Sequence, residues 1–382
     1  RVRARGGRLA VTAVASSTAE EIRAVAARLG FVAAWAPAAL PGFVGERYAG
    51  WLAAGRHAMM GELLRGVDVR LDATQRFGWA RSALVLALPH AYPEPAVPDD
   101  DGVRIGRVGR VFWVREQAFV ERLARPAIDA VKQALREAGH RARDWIDQGP
   151  LPLRSHAAGS GLGWIGRSGM LVSTALGTAT TLAVLLTDVE VEPPAAHPDR
   201  CGTCRRCVDR CPTGALLGDG TLDARRCVSY WTTQHPGLVP AEAWAGIGDW
   251  VFGCDVCQQV CPWNARAEAA WVRYVPDAEL AHPDLRRLLA PGFERVFAGS
   301  AFERAGRSRL ARNALIVLAN AGEAGHLPLV RSAAGDADPV VRATAAHALA
   351  RLGDRAAADR LRGDPDATVA REAAAALGDV AS

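Results

Sequence analysis

All eight cysteines of this 382-residue chain lie between positions 201 and 261, and their spacing is regular. They form two runs that each end in Cys-Pro, with one further cysteine between the runs: Cys201, Cys204, Cys207 and Cys211; Cys227; and Cys254, Cys257 and Cys261. Thiolates at two-residue gaps closed by Cys-Pro are the ligand pattern of 4Fe–4S clusters. Eight thiolates suffice for two such clusters, so these residues predict one-electron redox chemistry.

In bacterial ferredoxins with two clusters, the last cysteine of each run crosses over to the other cluster. The spacing therefore predicts two ligand sets, a first set of Cys201, Cys204, Cys207 and Cys261 and a second set of Cys211, Cys227, Cys254 and Cys257. Cys227 is the ligand with irregular spacing. Zinc is a poorer fit because structural zinc sites use separated cysteine pairs. Disulfides are also a poorer fit, because four thiols crowd into one short segment.

Composition adds only broad limits. Hydrophobic residues make up 49% of the chain, and 46 basic residues face 41 acidic ones, a formal net charge of +5. This balance permits nucleic-acid binding without arguing for it. The apolar run at 9–15 is too short for a signal peptide, and no stretch is long enough to cross a membrane. Eight thiolate ligands favour a reducing, cytoplasmic location.

Three regions are expected along the chain. Helical patterns at 17–29, 44–65 and 115–138 alternate with strand patterns at 31–36, 82–88 and 181–191, which predicts an α+β or α/β-like domain over residues 1–195. A capping box at Ser17–Glu20 is predicted to open the first helix. The ferredoxin-like module is predicted to span residues 196–270.

The last region, residues 271–382, carries an internal repeat. The pattern Val341, Ala345, Leu349 returns 28 residues later as Val369, Ala373, Leu377, and Leu310, Ala314, Leu318 precede it by 31 residues. A period near 30 with paired helices predicts a short HEAT-like solenoid, with a plain helical cap as the alternative. Four arginines could belong to a recognition surface on it, although charged faces are usually only solvated: Arg309, Arg312, Arg331 and Arg342.

Two segments of the first region could serve chemistry. Gly161, Gly163 and Gly166 form a G-x-G-x-x-G string, but it follows no strand pattern, so a dinucleotide site is disfavoured. The glycines more plausibly let the backbone approach a flat cofactor or a neighbouring segment. Asp147, before a Gly-Pro turn, is either a turn-capping residue or a proton donor, and the second role would need burial to raise its pKa.

The ordered motifs of the chain closely resemble those of epoxyqueuosine reductases. The resemblance rests on Asp-x-Gly-Pro at 147–150, Gly-Leu-Gly-Trp-Ile-Gly at 161–166, Leu-Thr-Asp at 186–188, the cysteine motifs at 201–215, 222–230 and 252–264, and Arg-Asn-Ala-Leu at 312–315. It covers most of the chain and is densest from 147 to 264. This ordered set is much more specific than the ferredoxin spacing alone.

The resemblance implies a cobalamin-dependent iron–sulfur enzyme that removes the epoxide oxygen of epoxyqueuosine at the wobble position of tRNA. It implies that Asp147 protonates the departing oxygen, and that the positions around the corrin are Arg70, Asp147, Arg167, Ser168, Ser229, Cys254 and Asp255. An external low-potential electron donor and a monomeric protein are also expected. The HEAT-like region would help to hold the tRNA.

The chain departs from the family pattern at Gly109–Trp113, at Leu151–Arg154 and at Arg167-Ser168, which puts the substrate pocket in question more than the clusters. Two alternatives stay open at this stage. One is a corrinoid iron–sulfur reductase of small molecules, similar to reductive dehalogenases. The other is a non-enzymatic electron carrier that docks partners through its repeats.

Overall fold

The computed structural model describes residues 7–147, 149–192, 194–267 and 275–378. Its strands are β1 (Val32–Pro37), β2 (Ser82–Pro89), β3 (Arg107–Val108), β4 (Ala142–Ile146), β5 (Trp164–Ile165), β6 (Leu171–Val172), β7 (Thr180–Thr187) and β8 (Trp250–Phe252). The helices that precede residue 260 are α1 (Gly7–Arg28), α2 (Gly42–Ala53), α3 (Val67–Leu71), α4 (Glu116–Phe119), α5 (Arg125–Glu137), α6 (Leu153–Gly159), α7 (Arg206–Asp209), α8 (Val228–Thr233), α9 (Trp244–Ile247) and α10 (Val256–Gln259). Those of the C-terminal region are α11 (Ala278–Ala281), α12 (Leu285–Leu289), α13 (Phe293–Val296), α14 (Ala301–Ala305), α15 (Arg307–Ala321), α16 (Leu327–Ala333), α17 (Pro339–Arg351), α18 (Arg355–Arg360) and α19 (Ala367–Ala376).

A four-stranded antiparallel sheet in the order β1-β2-β7-β4 forms the centre of the N-terminal region. Its side chains alternate between two cores because successive residues of a strand point to opposite faces. Leu84 and Leu86 pack with α1 and α5 on one face, whereas Val85 and Val184 pack with α6 on the other. The antiparallel pairing makes this region α+β, as predicted. It also leaves the ends of β4 and β7 free to carry site residues.

The cysteine region is built from short helices, and it is joined to the N-terminal region by backbone pairing. Strand β3 lies parallel to β8, which directly precedes Cys254. The predicted boundary at 195/196 therefore does not separate two independent surfaces. The predicted boundary at 270/271 lies outside the described residues.

The C-terminal region consists of helices, and the predicted repeat positions are its core. Leu310, Ala314 and Leu318 on α15 are fully buried, as are Val341, Ala345 and Leu349 on α17. Asp338 caps α17, which begins at Pro339, by accepting a hydrogen bond from the backbone of Val340. The HEAT-like prediction is confirmed by this arrangement and by the family match reported below.

Several sequence predictions were wrong in detail. Helix α1 begins at Gly7, so Ser17–Glu20 lies inside the helix and does not open it. The helix expected over 44–65 is only α2, because the chain turns after Ala53. The helix at 115–138 is present but contains a π-helical turn at Val120–Ala124. Strand β7 ends at Thr187, four residues before the predicted end at 191. Among the described residues, no helix is long and apolar enough to traverse a bilayer.

Candidate active site and cluster-binding region

The eight cysteine thiols are free and partly buried, and they influence one another in two groups. Burial raises the pKa of Cys261, and the neighbouring thiols of Cys201 and Cys204 raise it further. In the same way, burial raises the pKa of Cys254 to about 12, with added contributions from Cys227 and Cys211. Thiols affect one another in this way only when they are close together. The two groups coincide with the predicted first and second sets, which supports the crossed ligand assignment.

The two sets lie next to each other. The pKa of Cys257 is raised by burial and then by Cys254, Asp255 and Cys227, but Cys207 of the first set also contributes. Buried thiols with raised pKa values stay protonated at neutral pH unless a cation stabilises the thiolate. The irons of a cluster supply that positive charge. The donor set therefore fits two adjacent iron–sulfur clusters, between which electrons could pass.

Asp147 stands directly after β4 in a left-handed backbone conformation, with φ of 52°. Its backbone N–H donates a hydrogen bond to the carbonyl of Leu182 on β7, with 2.9 Å between nitrogen and oxygen, and this bond fixes the turn. Left-handed φ values are uncommon outside glycine but are tolerated by aspartate. No hydrogen bond to its carboxylate is found among the described residues, so a turn-capping role is not observed. The carboxylate is solvent-exposed rather than buried.

A cavity of about 250 Å³ opens beside Asp147 and has aromatic, aliphatic and arginine walls. Its lining includes Tyr92, Phe112, Thr181 and Arg304. Arg304 comes from α14, so the C-terminal region contributes directly to this cavity. A ligand that filled the cavity would cover the carboxylate and exclude water from it.

Arg70 holds the loop that carries Asp147. Its guanidinium donates to the carbonyl of Gly149 at 3.3 Å and to that of Glu62 at 3.4 Å. Its Nε is buried and has no partner within the described part of the chain. The predicted site residues Arg70 and Asp147 are thus brought together, and one buried donor is left for a ligand.

Arg154, on the first turn of α6, is a site residue that the sequence interpretation missed. The pKa of its guanidinium is lowered by burial, and the charges of Asp147 and Cys257 partly offset that effect. The side chain nevertheless stays accessible to solvent. Arg154 therefore lies within electrostatic range of both the Asp147 carboxylate and Cys257 of the second cysteine set.

A larger cavity, of about 800 Å³, lies against the same chain segments, around residues 90, 110 and 179, and it forms the recess together with the cavity beside Asp147. Asp255 lines it and accepts hydrogen bonds from the backbone N–H of Arg110 at 2.6 Å and from Gln258 at 2.9 Å. Burial raises the pKa of Asp255 despite these bonds. Burial lowers the pKa of His90 to about 3, so this wall carries a neutral imidazole.

The remaining predicted corrin contacts are spread more widely. Arg167 donates to the carbonyls of Gly202 and Gly218, and with Ser168 it lines a small cavity of about 50 Å³ against the first cysteine set. Ser229 lies on α8, two residues beyond Cys227. Arg167 and Ser168 thus lie beside the first cysteine set, and none of these three residues lines the cavity at Asp147. As contacts of a corrin they stay predictions, and so does Cys254.

Comparisons with known proteins agree with this geometry. A 4Fe–4S double cluster binding domain matches residues 200–264, and HEAT repeats match residues 299–380. The epoxyqueuosine reductase of Gloeobacter violaceus is 37% identical over 322 residues, which cover 80% of this chain and 97% of that protein. The chain belongs to the epoxyqueuosine reductase family. It is an oxidoreductase that binds two 4Fe–4S clusters.

Solved structures of the epoxyqueuosine reductase family extend the likeness to the whole fold. An epoxyqueuosine reductase crystallised with an epoxyqueuosine-modified tRNA-Tyr stem loop is 28% identical, with a TM-score of 0.87, and the match covers 95% of this chain and 99% of that one. The Bacillus subtilis enzyme, with its catalytic aspartate loop swung out of the active site, is 27% identical, with a TM-score of 0.85 over 96% of this chain and 100% of that one.

Proposed function

We propose that this protein reduces epoxyqueuosine to queuosine at the wobble position of tRNA. The observation that carries the proposal is the position of Asp147, which lines a cavity of about 250 Å³ and lies, like Cys257 of the second cysteine set, within electrostatic range of Arg154. An iron–sulfur carrier without a substrate would not need a carboxylate at that place. The family relationship supplies the substrate, since relatives across nearly their full length are epoxyqueuosine reductases.

The reaction needs both a proton donor, the Asp147 carboxyl group, and a source of electrons, the iron–sulfur clusters. Converting an epoxide to an alkene breaks two C–O bonds and consumes two electrons and two protons, and the oxygen leaves as water. Each cluster passes one electron at a time, so the electrons arrive in successive steps. Asp147 delivers a proton to the departing oxygen, which avoids the release of a high-energy alkoxide. Arg154 places a positive charge within electrostatic range of the Asp147 carboxylate, and this charge favours anionic groups bound nearby.

The residues of the recess also fit a cobalamin. The larger cavity has the volume of a cofactor pocket, and many of its lining residues are polar, with arginine and amide side chains that can bind the amide and phosphate groups of a cobalamin. Its polar groups include Asp255 and the backbone of Arg110, and Arg70 offers a buried N–H with no partner among the described residues. When bound, the cobalamin supplies strongly reducing chemistry at carbon. We propose Arg70, Asp147 and Asp255 as its nearest contacts, with Arg167, Ser168, Ser229 and Cys254 further out.

The wider partners follow from the same proposal. Arg304 places the C-terminal helices at the Asp147 cavity, so these helices can guide a bound tRNA stem loop toward it. The formal net charge of +5 favours a nucleic-acid partner weakly. We propose that a separate low-potential protein supplies the electrons to a monomeric enzyme in the cytoplasm, where thiolate ligands stay reduced.

The test is Asp147→Asn in cluster-loaded, cobalamin-loaded protein. Replacing a general acid is expected to slow queuosine formation on epoxyqueuosine-tRNA by about 10²–10⁴-fold. Iron content, bound cobalamin and tRNA affinity should stay at wild-type levels, because the amide keeps the shape of the carboxyl group. Liquid chromatography of digested tRNA measures the product, and Asp68→Asn, on the exposed side of α3, is the control variant.

Two outcomes would overturn the proposal. Wild-type turnover by Asp147→Asn would remove the proton-donor role, and a wild-type protein that leaves epoxyqueuosine-tRNA unchanged would remove the substrate. The second result would be checked in a strain that lacks the gene, where epoxyqueuosine must accumulate in tRNA and disappear on complementation.

A further inference from the structure

The glycine string at 161–166 forms one side of a small hairpin that lies against the first cysteine set. Strand β5 pairs with β6, and Trp164 is opposite Val172. Gly166 and Ser168 of this hairpin line the small cavity with Cys201, Cys204 and Cys207. The hairpin belongs to the N-terminal region, yet it covers a cluster site of the ferredoxin-like module.

Two of the glycines make this close approach possible. A Cβ on Gly163 would lie 2.0 Å from the carbonyl oxygen of Val172, which is far inside van der Waals contact. A Cβ on Gly166 would lie 2.6 Å from the side chain of Val172 and 3.5 Å from the Sγ of Cys201. Any larger residue would force the two strands of the hairpin apart, and so disturb the side that the hairpin presents to Cys201. The glycine string is therefore explained by a neighbouring segment, one of the two options the sequence left open.

Between these glycines, Trp164 points its indole N–H at a cluster ligand. The Nε1 of Trp164 lies 3.2 Å from the Sγ of Cys201. The side chain is only 4% exposed, so its N–H has no ready access to solvent. An indole can only donate, and a buried donor without an acceptor is costly. The sulfur of Cys201 is thus the acceptor on which the position of this ring depends.

Aromatic neighbours fix the ring in that orientation. Trp263, two residues after Cys261, meets it edge to face with centroids 5.3 Å apart and planes at 80°. His197 stacks on it, with centroids 5.0 Å apart and planes at 25°. Both neighbours lie close in sequence to cysteines of the first set. The indole is therefore held by the cysteine module itself.

We propose that Trp164 is a tuning residue of the first cluster, which raises the reduction potential of that cluster through an N–H···S hydrogen bond to Cys201. Hydrogen bonds to cluster sulfurs are among the factors that set the potential. Reduction adds negative charge to the cluster, and a donor to sulfur stabilises the reduced state more than the oxidised one. The second set receives no indole hydrogen bond among the described residues. The two clusters are thereby given different potentials.

The test is Trp164→Phe, which removes the N–H and keeps an aromatic ring in the packing. Protein loaded with both clusters is titrated with redox mediators while the two reduced clusters are followed by electron paramagnetic resonance. We expect the midpoint potential of one cluster to become more negative, and that of the other to stay unchanged. Trp263→Phe is the matched control, because it alters the same aromatic group without removing the donor to Cys201.

Two results would overturn the proposal. One is an unchanged pair of potentials in Trp164→Phe with both clusters present. The other is an equal shift in Trp263→Phe, which would point to packing rather than to the hydrogen bond. The redox titration needs neither tRNA nor cobalamin. A negative result would therefore refute the role of Trp164 without bearing on the proposed function.

A second measurement applies if Trp164→Phe loses iron. Wild-type protein labelled with ¹⁵N-indole tryptophan is reduced, and the coupling between cluster spin and indole nitrogen is recorded by pulsed resonance methods. The hydrogen bond predicts a nitrogen coupling that survives in Trp263→Phe. The absence of any coupling in the wild-type protein would refute the proposal.

Discussion

The two cysteine sets have the same ligands but different surroundings. The first set is covered by the β5–β6 hairpin and receives the indole hydrogen bond of Trp164. The second set lies where β8 and α8 meet, and Cys257 of this set is within electrostatic range of Arg154, as Asp147 is. Chemically identical ligand groups are thus attached to different parts of the fold. Because Cys254 and Cys257 adjoin Asp255 and Gln258 of the larger cavity, we expect the second cluster to deliver electrons to the recess and the first to relay electrons to it.

The C-terminal helices hold the second set in place through one buried pair. Arg312 on α15 is fully buried and donates to the carbonyls of Trp231, His235 and Gly237. Asn313 donates to the carbonyls of Thr232 and Val251, which belong to α8 and β8. Cys227 directly precedes α8, and Cys254 follows two residues after the end of β8. The solenoid therefore supports a cluster as well as offering a surface.

The largest expected effect is on the rate of product formation, and it distinguishes a ligand variant of the first cluster from one of the second. Cys257→Ser and Cys204→Ser should each reduce the iron content from about eight to about four per chain. With excess dithionite, Cys204→Ser should retain measurable product formation, because the second cluster still faces the recess. Cys257→Ser should lose at least about 100-fold in rate, equivalent to about 3 kcal/mol. Product is measured in digested tRNA.

Equal losses in both serine variants would contradict the relay order. Each variant must be shown to bind as much cobalamin as the wild type, so that lost product reports electron delivery. If Cys204→Ser were the more damaged variant, the first cluster would be the one that serves the recess.

The next effect is on stability, and it tests the support of the second set. Burial lowers the pKa of Arg312 to about 9, with a further contribution from Arg309, so it is still charged at neutral pH. Arg312→Met leaves three buried carbonyls without a donor, and it is expected to cost about 3 kcal/mol of unfolding free energy. Arg331→Met, which removes an exposed ion pair to Asp354, should cost less than about 1 kcal/mol. Thermal unfolding of the loaded protein measures both.

If Arg312 supports the second set specifically, a chelator should remove about half of the iron from Arg312→Met faster than from the wild type. Uniform loss of all iron would mean that Arg312 stabilises the whole module. An unfolding temperature equal to that of Arg331→Met would refute the supporting role.

Much of this arrangement could be predicted because it depends on the spacing of residues that are close together in the sequence. Cysteine ligands of a cluster must be a few residues apart, so the pattern is legible without a fold. The repeat positions around Leu310 and Val341 were legible for the same reason, since buried helix faces recur with the helical period. Asp147 was reached only through the family resemblance, because a single aspartate before Gly-Pro has an ordinary explanation as a turn residue.

The rest depends on contacts between distant segments. The sequence interpretation placed Arg312 on a charged surface, and that was wrong because the side chain is buried. An arginine can be buried where several backbone carbonyls accept its hydrogen bonds, and those carbonyls come from a distant part of the chain. Of the other three arginines, Arg331 and Arg342 pair with aspartates of the solenoid and Arg309 donates to the carbonyl of Thr233. Arg154 stood out only as part of a departure from the family pattern. Its position near Asp147 and Cys257 becomes apparent only when α6 packs on the sheet.

The smallest expected effect concerns Arg154. Removing its charge should weaken the electrostatic attraction of Arg154 for the Asp147 carboxylate and for anionic groups in the recess. Because the side chain is accessible to solvent, this interaction is worth only about 1 kcal/mol, or about fivefold in rate. Arg154→Gln should therefore reduce queuosine formation about fivefold, while Arg154→Lys should recover part of the loss. Arg143→Gln, which removes an exposed arginine stacked over Trp145, is the control and should leave the rate unchanged.

The salt dependence of these rates shows whether charge is the cause. A screened electrostatic interaction weakens as ionic strength rises, so the difference between wild type and Arg154→Gln should shrink in high salt. The potentials of both clusters should stay constant across the series, because Arg154 donates to the backbone of Gly169 and not to a cysteine. A shift in the potential of the second cluster instead would show that Arg154 acts on electron delivery rather than on the carboxylate. In that case Arg154 would act in electron transfer rather than in proton transfer. Residues of the N-terminal region would then influence the reduction potentials of both clusters.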